Sequence, residues 1–454
     1  MDSMVKNQKY TAEIESYTSE GYGVCRINGR AVFIPGTIKG EVWEILIVKV
    51  SKTAVYGKGL RLIAASSHRI PIDCPHFPVC GSCALRHMDY EEELDFKLNK
   101  VNQALERIGG QNKIITGIVG SDFQSSYRNK AVFSVSSVNS RETAFGYYRS
   151  RTHELIPIHN CYLQSELCCR TADSVVSFLN RNHIPPYNEK DGSGSVRHLF
   201  FRESRCKKEA VLCIVSAMGF GGHTEELVRW ILRDCPELTG IVLNINKSVG
   251  NTVLSGDYYT LWGNPNITDI LCGIEYEIAP QAFFQINPSQ TEKMYQQAMR
   301  YAFPSHASLA LDLYCGAGTV TLCMASHCNF VVGAEIVSEA IDNAKENAQK
   351  NGILNADFIC TDTADLFQTI QRRYRSPDVI VVDPPRKGLS PEVISGISEL
   401  EPERLIYISC NPATLARDIR MLNEYHYQLT DGMAFDLFPR TSHVETVVSM
   451  TKSF

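Results

Sequence analysis

The strongest constraint in this 454-residue chain is an alternation that begins near residue 308. Five apolar segments, SLALDLYCGAG, FVVGAEI, ADFICTD, DVIVVDPP and RLIYISCNP, are separated by helical stretches such as SEAIDNAKENAQKNG. Strands alternating with helices predict a parallel sheet covered on both faces, with ligands bound beyond the carboxyl ends of the strands. After the first segment, Cys315-Gly316-Ala317-Gly318 lets a ligand approach the backbone closely. Thr321 stands where a dinucleotide fingerprint needs its third glycine, which argues against a nicotinamide cofactor. Glu335 closes the second strand, where a carboxylate accepts both hydroxyls of a ribose, and Asp362 and Asp383 close the third and fourth. One such acid is an ordinary helix cap, but successive strand ends each carrying an acid or a glycine turn make a ligand edge.

This order resembles the class I S-adenosylmethionine-dependent methyltransferase fold, a Rossmann-like α/β domain. Charge fits that resemblance. Residues 281–454 hold 14 Lys and Arg against 20 Asp and Glu, a net of -6, within a chain of net -5, so residues 1–280 carry +1. An acidic domain suits a cationic sulfonium better than a polyphosphate, and the overall charge excludes indiscriminate coating of nucleic acid.

Two residues near this edge carry reactive groups. Cys410, in SCNPATLARD, ends the fifth strand just before a helix, whose amino-terminal field is expected to favour the thiolate. A cysteine taken alone is more often a small buried hydrophobe. Glu445, in PRTSHVETVV, sits among apolar and β-branched residues, where partial burial is expected to raise its pKa and make it a workable base.

The rest of the chain divides into two further regions. Residues 1–66 read as short strands around an Asn28-Gly29 hairpin turn and predict a small OB-like β-barrel, a shape that often presents a strand face to an oligonucleotide. Residues 67–280 read as a mixed α+β domain, leaving 281–454 as the catalytic domain. In HRIPIDCPHFPVCGSCALRHM, residues 68–88, apolar periodicity is poor, so something other than a core is expected to fold it. Cys74, Cys80 and Cys83, with the distant Cys161, offer four thiolates suited to a [4Fe-4S] cluster or to tetrahedral zinc, and His76 and His87 keep zinc open. A helix is expected near residues 90–108, its apolar face carried by Leu94, Leu98, Val101 and Leu105 and its end marked by Gly109-Gly110. Cations interleave with aromatics at Tyr127-Arg128-Asn129-Lys130, Arg149-Ser150-Arg151 and Arg197-His198-Leu199-Phe200-Phe201-Arg202, a composition able to hold phosphate and stack bases. The sequence lacks an apolar run of the roughly 18 residues a membrane span needs, and its start does not look like an export signal, so a cytoplasmic protein with reduced cysteines is expected.

DLYCGAG, DPPRKG, SCNPATLARD and PRTSHVET, with AFFQINPSQ upstream, together resemble the RNA (uracil-5-)-methyltransferase family in order and spacing. EGYGVCRINGRAVFIPGTIKGE resembles the TRAM RNA-binding domain that opens many members. The resemblance implies S-adenosyl-L-methionine as methyl donor, Cys410 as nucleophile and Glu445 as proton acceptor. It places Gln285, Tyr314, Glu335 and Asp383 at cofactor positions, to which the strand-end reading adds Gly316 and Asp362. It further implies an iron-sulfur cluster on the four cysteines and the 23S ribosomal RNA branch, with transfer RNA as the rival substrate and a noncatalytic RNA-binding or folding factor as the alternative different in class. Phe283, Arg128 and Lys130 are candidate RNA contacts. No DNA or membrane partner is expected, and the protein is expected to be a monomer.

Overall fold

The computed structural model describes residues 4–113, 115–138, 142–149, 152–248, 250, 252–361 and 363–453. The chain forms two compact units, one of residues 1–100, 148–156 and 438–443, the other of residues 101–147, 157–437 and 444–454.

In the first unit the amino-terminal segment forms a six-stranded sheet in the order Lys9–Glu13, Val42–Val50, Val55–Ala64, Arg30–Ile34, Gly23–Ile27, Ser16–Tyr17. Asn28 (φ 51°) and Gly29 (φ 79°) make the left-handed turn that joins two of these strands. Between Lys9–Glu13 and Ser16–Tyr17 the fully buried Ile14 donates to Glu41 O at 2.9 Å and Glu15 to Val24 O at 2.8 Å, so the chain passes from one partner strand to another. Ile14, Cys25, Val32, Ile34, Ile45 and Ile47 fill the core of this sheet. The cysteine-bearing stretch that follows is held by polar contacts and a small apolar cluster. Arg86 grips Asp73 bidentately at 2.8 and 2.6 Å, Arg69 bonds Glu41 and lies over Trp43, and Leu85 and Met88 pack with Ile38 and Phe96. The expected helix spans Tyr90–Arg107.

In the second unit, Val196–Ser204 lies between Lys130–Ser137 and Glu209–Ser216, with Gly240–Ile245 parallel to the last. Helices Glu166–Arg181 and Thr224–Asp234 pack on this sheet through Phe178, Leu179, Leu227 and Ile231. An eight-stranded sheet runs in the order Ala356–Cys360, Cys328–Glu335, Ala307–Leu313, Val379–Val382, Arg404–Ser409, Glu445–Lys452, Tyr427–Phe435, Ile118–Val119. The first five strands are parallel, as their alternation with helices predicts, and Glu445–Lys452 inserts antiparallel beside the fifth. That insertion brings a carboxy-terminal strand to the centre of the ligand edge. Among the described residues no helix is long and apolar enough to cross a membrane.

Candidate active site

The end of Ala307–Leu313 turns through Tyr314 (φ 68°), Gly316 (φ 53°) and Gly318 (φ 83°) into the helix Thr319–Ala325. A side chain at Gly316 would meet nothing within 4 Å, so the turn faces open space, whereas one at Gly318 would press on Ala344 and Phe358 at 3.1 Å. Glu335 is held by three backbone N–H groups, those of Ile336 at 2.8 Å, Val337 at 3.1 Å and Gly316 at 3.3 Å. Asp312 is fully buried. Its Oδ2 accepts from the Thr321 hydroxyl at 2.5 Å, and its Oδ1 has no hydrogen-bond partner among the described residues. Burial pushes Asp312 up to about 8; the Thr321 hydroxyl opposes this and the charges of Asp383 and Glu335 add to it. An open glycine turn, a pinned carboxylate and an unsatisfied buried carboxylate fit a ligand that is cationic and carries hydroxyl groups. Asp362 lies outside the described residues.

Gln285 and Asp383 meet through a residue that the sequence reading missed. Tyr295, buried on the helix Pro288–Ala302, places its hydroxyl 3.3 Å from Thr319 Oγ1, and the Asp383 charge and the Gln285 side chain both act on its acidity. Its sequence signal, an aromatic on the inner face of an amphipathic helix, is indistinguishable from that of a core tyrosine. Burial pushes Asp383 up to about 7.

Strand register brings the reactive pair together. Ser409 is paired with Thr446 across the antiparallel junction, so the residues one step further along, Cys410 and Glu445, emerge side by side. Val382 is paired with Tyr407 on the other side, which sets Asp383 at the same edge. Glu445 is only 6% exposed. Burial pushes its carboxyl well above the usual range, the Asp383 charge adds to this, and Arg386 opposes it. The sequence expectation of a raised Glu445 pKa therefore agrees with the electrostatics. The expectation for Cys410 is corrected: burial, then the charges of Glu445 and Asp383, push its thiol up to about 11, with Arg386 pulling the other way. Desolvation and two carboxylates oppose the helix field.

The remainder of SCNPATLARD is a clasp. Asn411 caps the helix Pro412–Asn423 through Ala413 N at 3.1 Å and donates to Arg386 O at 3.0 Å. Arg417 donates to Lys387 O at 2.9 Å, and the buried Asp418 accepts from Leu389 N and the Tyr407 hydroxyl, both at 2.8 Å. These bonds hold Asp383-Pro384-Pro385-Arg386 against Cys410. Upstream, Asn129 N donates to Ile286 O and its side chain donates to Gln285 O, each at 2.9 Å, fixing the AFFQIN loop. That loop leaves Phe283 68% exposed while burying Phe284 against Tyr276.

The interleaved cations divide into two groups. Arg128 and Lys130 flank Asn129, and Lys130 is paired across the sheet with Arg202. Burial and the neighbouring Arg202 and Arg128 push Lys130 down to about 8. Arg202 and Arg197 are not phosphate ligands as their composition suggested. Arg202 is 2% exposed and donates to Pro280 O at 3.2 Å and Ala282 O at 2.5 Å; Arg197 donates to Asn246 O and Ser248 O at 3.1 and 2.8 Å while stacking on Tyr187. Both brace loops. Ser150 and Arg151 lie outside the described residues.

Cys74, Cys80 and Cys83 belong to the first unit and Cys161 to the second, and among the described residues no three His, Cys, Asp or Glu side chains form a group able to hold a metal ion. His87 is committed elsewhere: it is buried, stacks on Phe77 and bonds Thr37 O at 3.3 Å.

The sheet order and ligand edge define a class I S-adenosylmethionine-dependent methyltransferase fold, and comparison with known proteins agrees. A solved structure described as the Pyrococcus abyssi tRNA (uracil-54, C5)-methyltransferase in complex with S-adenosyl-L-homocysteine shares this fold, with a TM-score of 0.78 and 24% identity, covering 97% of this chain and 100% of that one. The tRNA (uracil-5-)-methyltransferase family model matches residues 271–453, and the TRAM domain model matches residues 5–60. An uncharacterized RNA methyltransferase of Clostridium tetani is 34% identical over 98% of this chain and 97% of its own length, and one of Staphylococcus epidermidis is 36% identical over 98% of each. The chain belongs to the RNA (uracil-5-)-methyltransferase family.

Proposed function

We propose that the protein transfers a methyl group from S-adenosyl-L-methionine to carbon 5 of a specific uridine in structured RNA, of the large ribosomal subunit, through a covalent bond from Cys410 to carbon 6. The observation that carries this reading is the register that sets Cys410 beside Glu445 at the edge shared with Asp383. Carbon 5 of uracil is a weak nucleophile. Addition of the Cys410 sulfur at carbon 6 turns the ring into an enolate with charge at carbon 5. Bound S-adenosylmethionine supplies an electrophilic methyl group on a sulfonium. Glu445 then removes the proton left on carbon 5, and the Cys410 sulfur leaves as the ring double bond re-forms. Gln285, Tyr314, Gly316, Glu335, Asp362 and Asp383 would hold the cofactor, with Asn129 fixing the Gln285 backbone.

Burial makes this chemistry conditional. Without a bound cation, burial and the neighbouring acids favour the protonated form of both Cys410 and Glu445. A positive charge beside Asp383 favours the ionised form of all three groups, so cofactor binding would arm the nucleophile and the base together. Reaching carbon 6 requires the uridine to leave its stack, and the exposed Phe283 would replace the lost stacking, with Arg128 and Lys130 on the phosphates.

The division into an RNA-binding barrel over 1–66, a central domain over 67–280 and a catalytic domain over 281–454 belongs to the same proposal, as do a cytoplasmic location and a monomeric state. The [4Fe-4S] expectation for Cys74, Cys80, Cys83 and Cys161 keeps sequence spacing as its support, and no step above passes through it. Acid-labile sulfide with visible absorption in anaerobically purified protein would support it, and stoichiometric zinc would overturn it. Transfer RNA is the second reading, favoured by what the Pyrococcus abyssi protein is described as modifying. Mapping 5-methyluridine in ribosomal and transfer RNA from a strain lacking the gene decides between them: loss of a ribosomal site is expected, and loss confined to transfer RNA would overturn the ribosomal assignment.

A further inference from the structure

Away from the ligand edge, the second unit contains a cavity of about 710 Å³ whose wall includes Cys272, Cys323, Glu292, Arg300 and Leu354. Cys272 lies at the tip of the hairpin joining Ile267–Leu271 to Ile274–Ile278, and Cys323 lies on the helix Thr319–Ala325 that follows the glycine turn. The two thiols line the same wall, and each acts on the other's acidity. Their settings differ: Cys272 is partly exposed to the cavity, while Cys323 is 5% exposed and has the Tyr276 hydroxyl as a further neighbour. Cys272 also adopts φ 53°, a left-handed conformation unusual for cysteine, followed by Gly273 at φ 78°.

We propose that Cys272 and Cys323 form a reversible thiol–disulfide exchange site that takes a low-molecular-weight disulfide from this cavity. Cys272 attacks one sulfur of that disulfide, forming a mixed disulfide and expelling one thiolate, which takes up the Cys272 proton. Cys323 then attacks the Cys272 sulfur, loses its own proton to the second departing thiolate, and closes a Cys272–Cys323 bond. Two electrons and two protons pass from the cysteine pair to the disulfide, which leaves as two thiols. The order follows from the settings: Cys272 opens to the cavity while Cys323 is buried, and the Cys323 thiol lowers the Cys272 pKa while Cys272 and burial hold Cys323 well above the thiol range. The product would clamp the hairpin to the helix behind the cofactor turn, reinforcing the Tyr276 hydroxyl bond to Thr319 O at 3.2 Å.

The test treats the full chain with glutathione disulfide, alkylates the remaining thiols and maps the peptides. A dithiothreitol-reversible peptide joining Cys272 to Cys323 is expected, with Cys272 consumed about tenfold faster than the exposed Cys206, whose own thiol is pushed up by burial and by Asp269. Cys323→Ser should hold glutathione stably on Cys272, and Cys272→Ser should leave Cys323 alkylatable. If both cysteines stay alkylatable in the parent while Cys206 and Cys360 are modified, the proposal is overturned. Absence of a mixed disulfide on Cys272 in the Cys323→Ser protein would overturn it as well. These readouts are independent of methyl transfer.

Discussion

Two buried glutamates, one in each compact unit, show how the same side chain serves structure or chemistry according to its neighbours. Glu93 is completely buried within the first unit, where it accepts from Lys97 Nζ and from Arg440 N, both at 2.7 Å, and has the Arg440 guanidinium at 3.5 Å. Its charge is neutralised in place. Glu445 is buried to nearly the same degree in the second unit, but the nearby charges that act on it are Asp383, of like sign, and Arg386. Burial beside a cation fixes a fold, while burial beside another acid keeps a proton that can later be moved.

Four experiments sharpen or break that contrast. Cys410→Ser should lower methyl transfer by about 10⁴-fold or more with the fold intact, measured as label incorporation into RNA from a deletion strain. Glu445→Gln should lower turnover by about 10²- to 10⁴-fold and leave stability unchanged or raised, since a group held in its neutral form is replaced by a neutral one. Lys97→Met should do the opposite: a stability loss of about 3–5 kcal/mol in urea denaturation, because Glu93 loses its buried counter-charge, with turnover per folded molecule preserved. If Glu445→Gln proves the more destabilising of the two, the contrast fails.

The smallest effect concerns pH. A carboxyl whose pKa is raised in the folded protein is protonated below that value, so Asp383 loses its charge as pH falls through about 7. Affinity for S-adenosylmethionine should then weaken by up to about tenfold per pH unit below 7, while affinity for the uncharged-sulfur product S-adenosylhomocysteine stays nearly flat. Asp383→Asn should remove the difference, as read by calorimetry. The same signs apply to folding: Asp312, Asp383 and Glu445 bind protons more tightly folded than unfolded, so the ligand-free protein should melt lower as pH rises from about 4 to 8.

The parallel strands and their ligand ends were legible because apolar runs closed by Gly316, Glu335 or Asp383 are local signals. Where Glu445 lands was not. The antiparallel insertion of Glu445–Lys452 beside Arg404–Ser409 is a long-range pairing that nothing near residue 445 announces. Tyr295 stayed hidden for the same reason, since its hydroxyl acquires meaning only once Gln285, Thr319 and Asp383 surround it. Asn411, Arg417 and Asp418 lay within a quoted motif, yet their clasp on the Arg386–Leu389 loop became visible only in three dimensions. Composition misled at Arg197 and Arg202, because an arginine among aromatics reads alike whether it faces phosphate or buried carbonyls. Position before a helix misled at Cys410, where burial, then the charges of Glu445 and Asp383, raise the thiol's pKa.

The most direct measurement is to incubate the Glu445→Gln protein with S-adenosylmethionine and RNA from a strain lacking the enzyme, digest the RNA, and sequence any peptide that retains a nucleotide. A methylated pyrimidine attached to Cys410, and absent when Cys410 is replaced by serine, is the predicted result. Methylated RNA released freely with no nucleotide on Cys410, or a Cys410→Ser enzyme working at the parental rate, would contradict it.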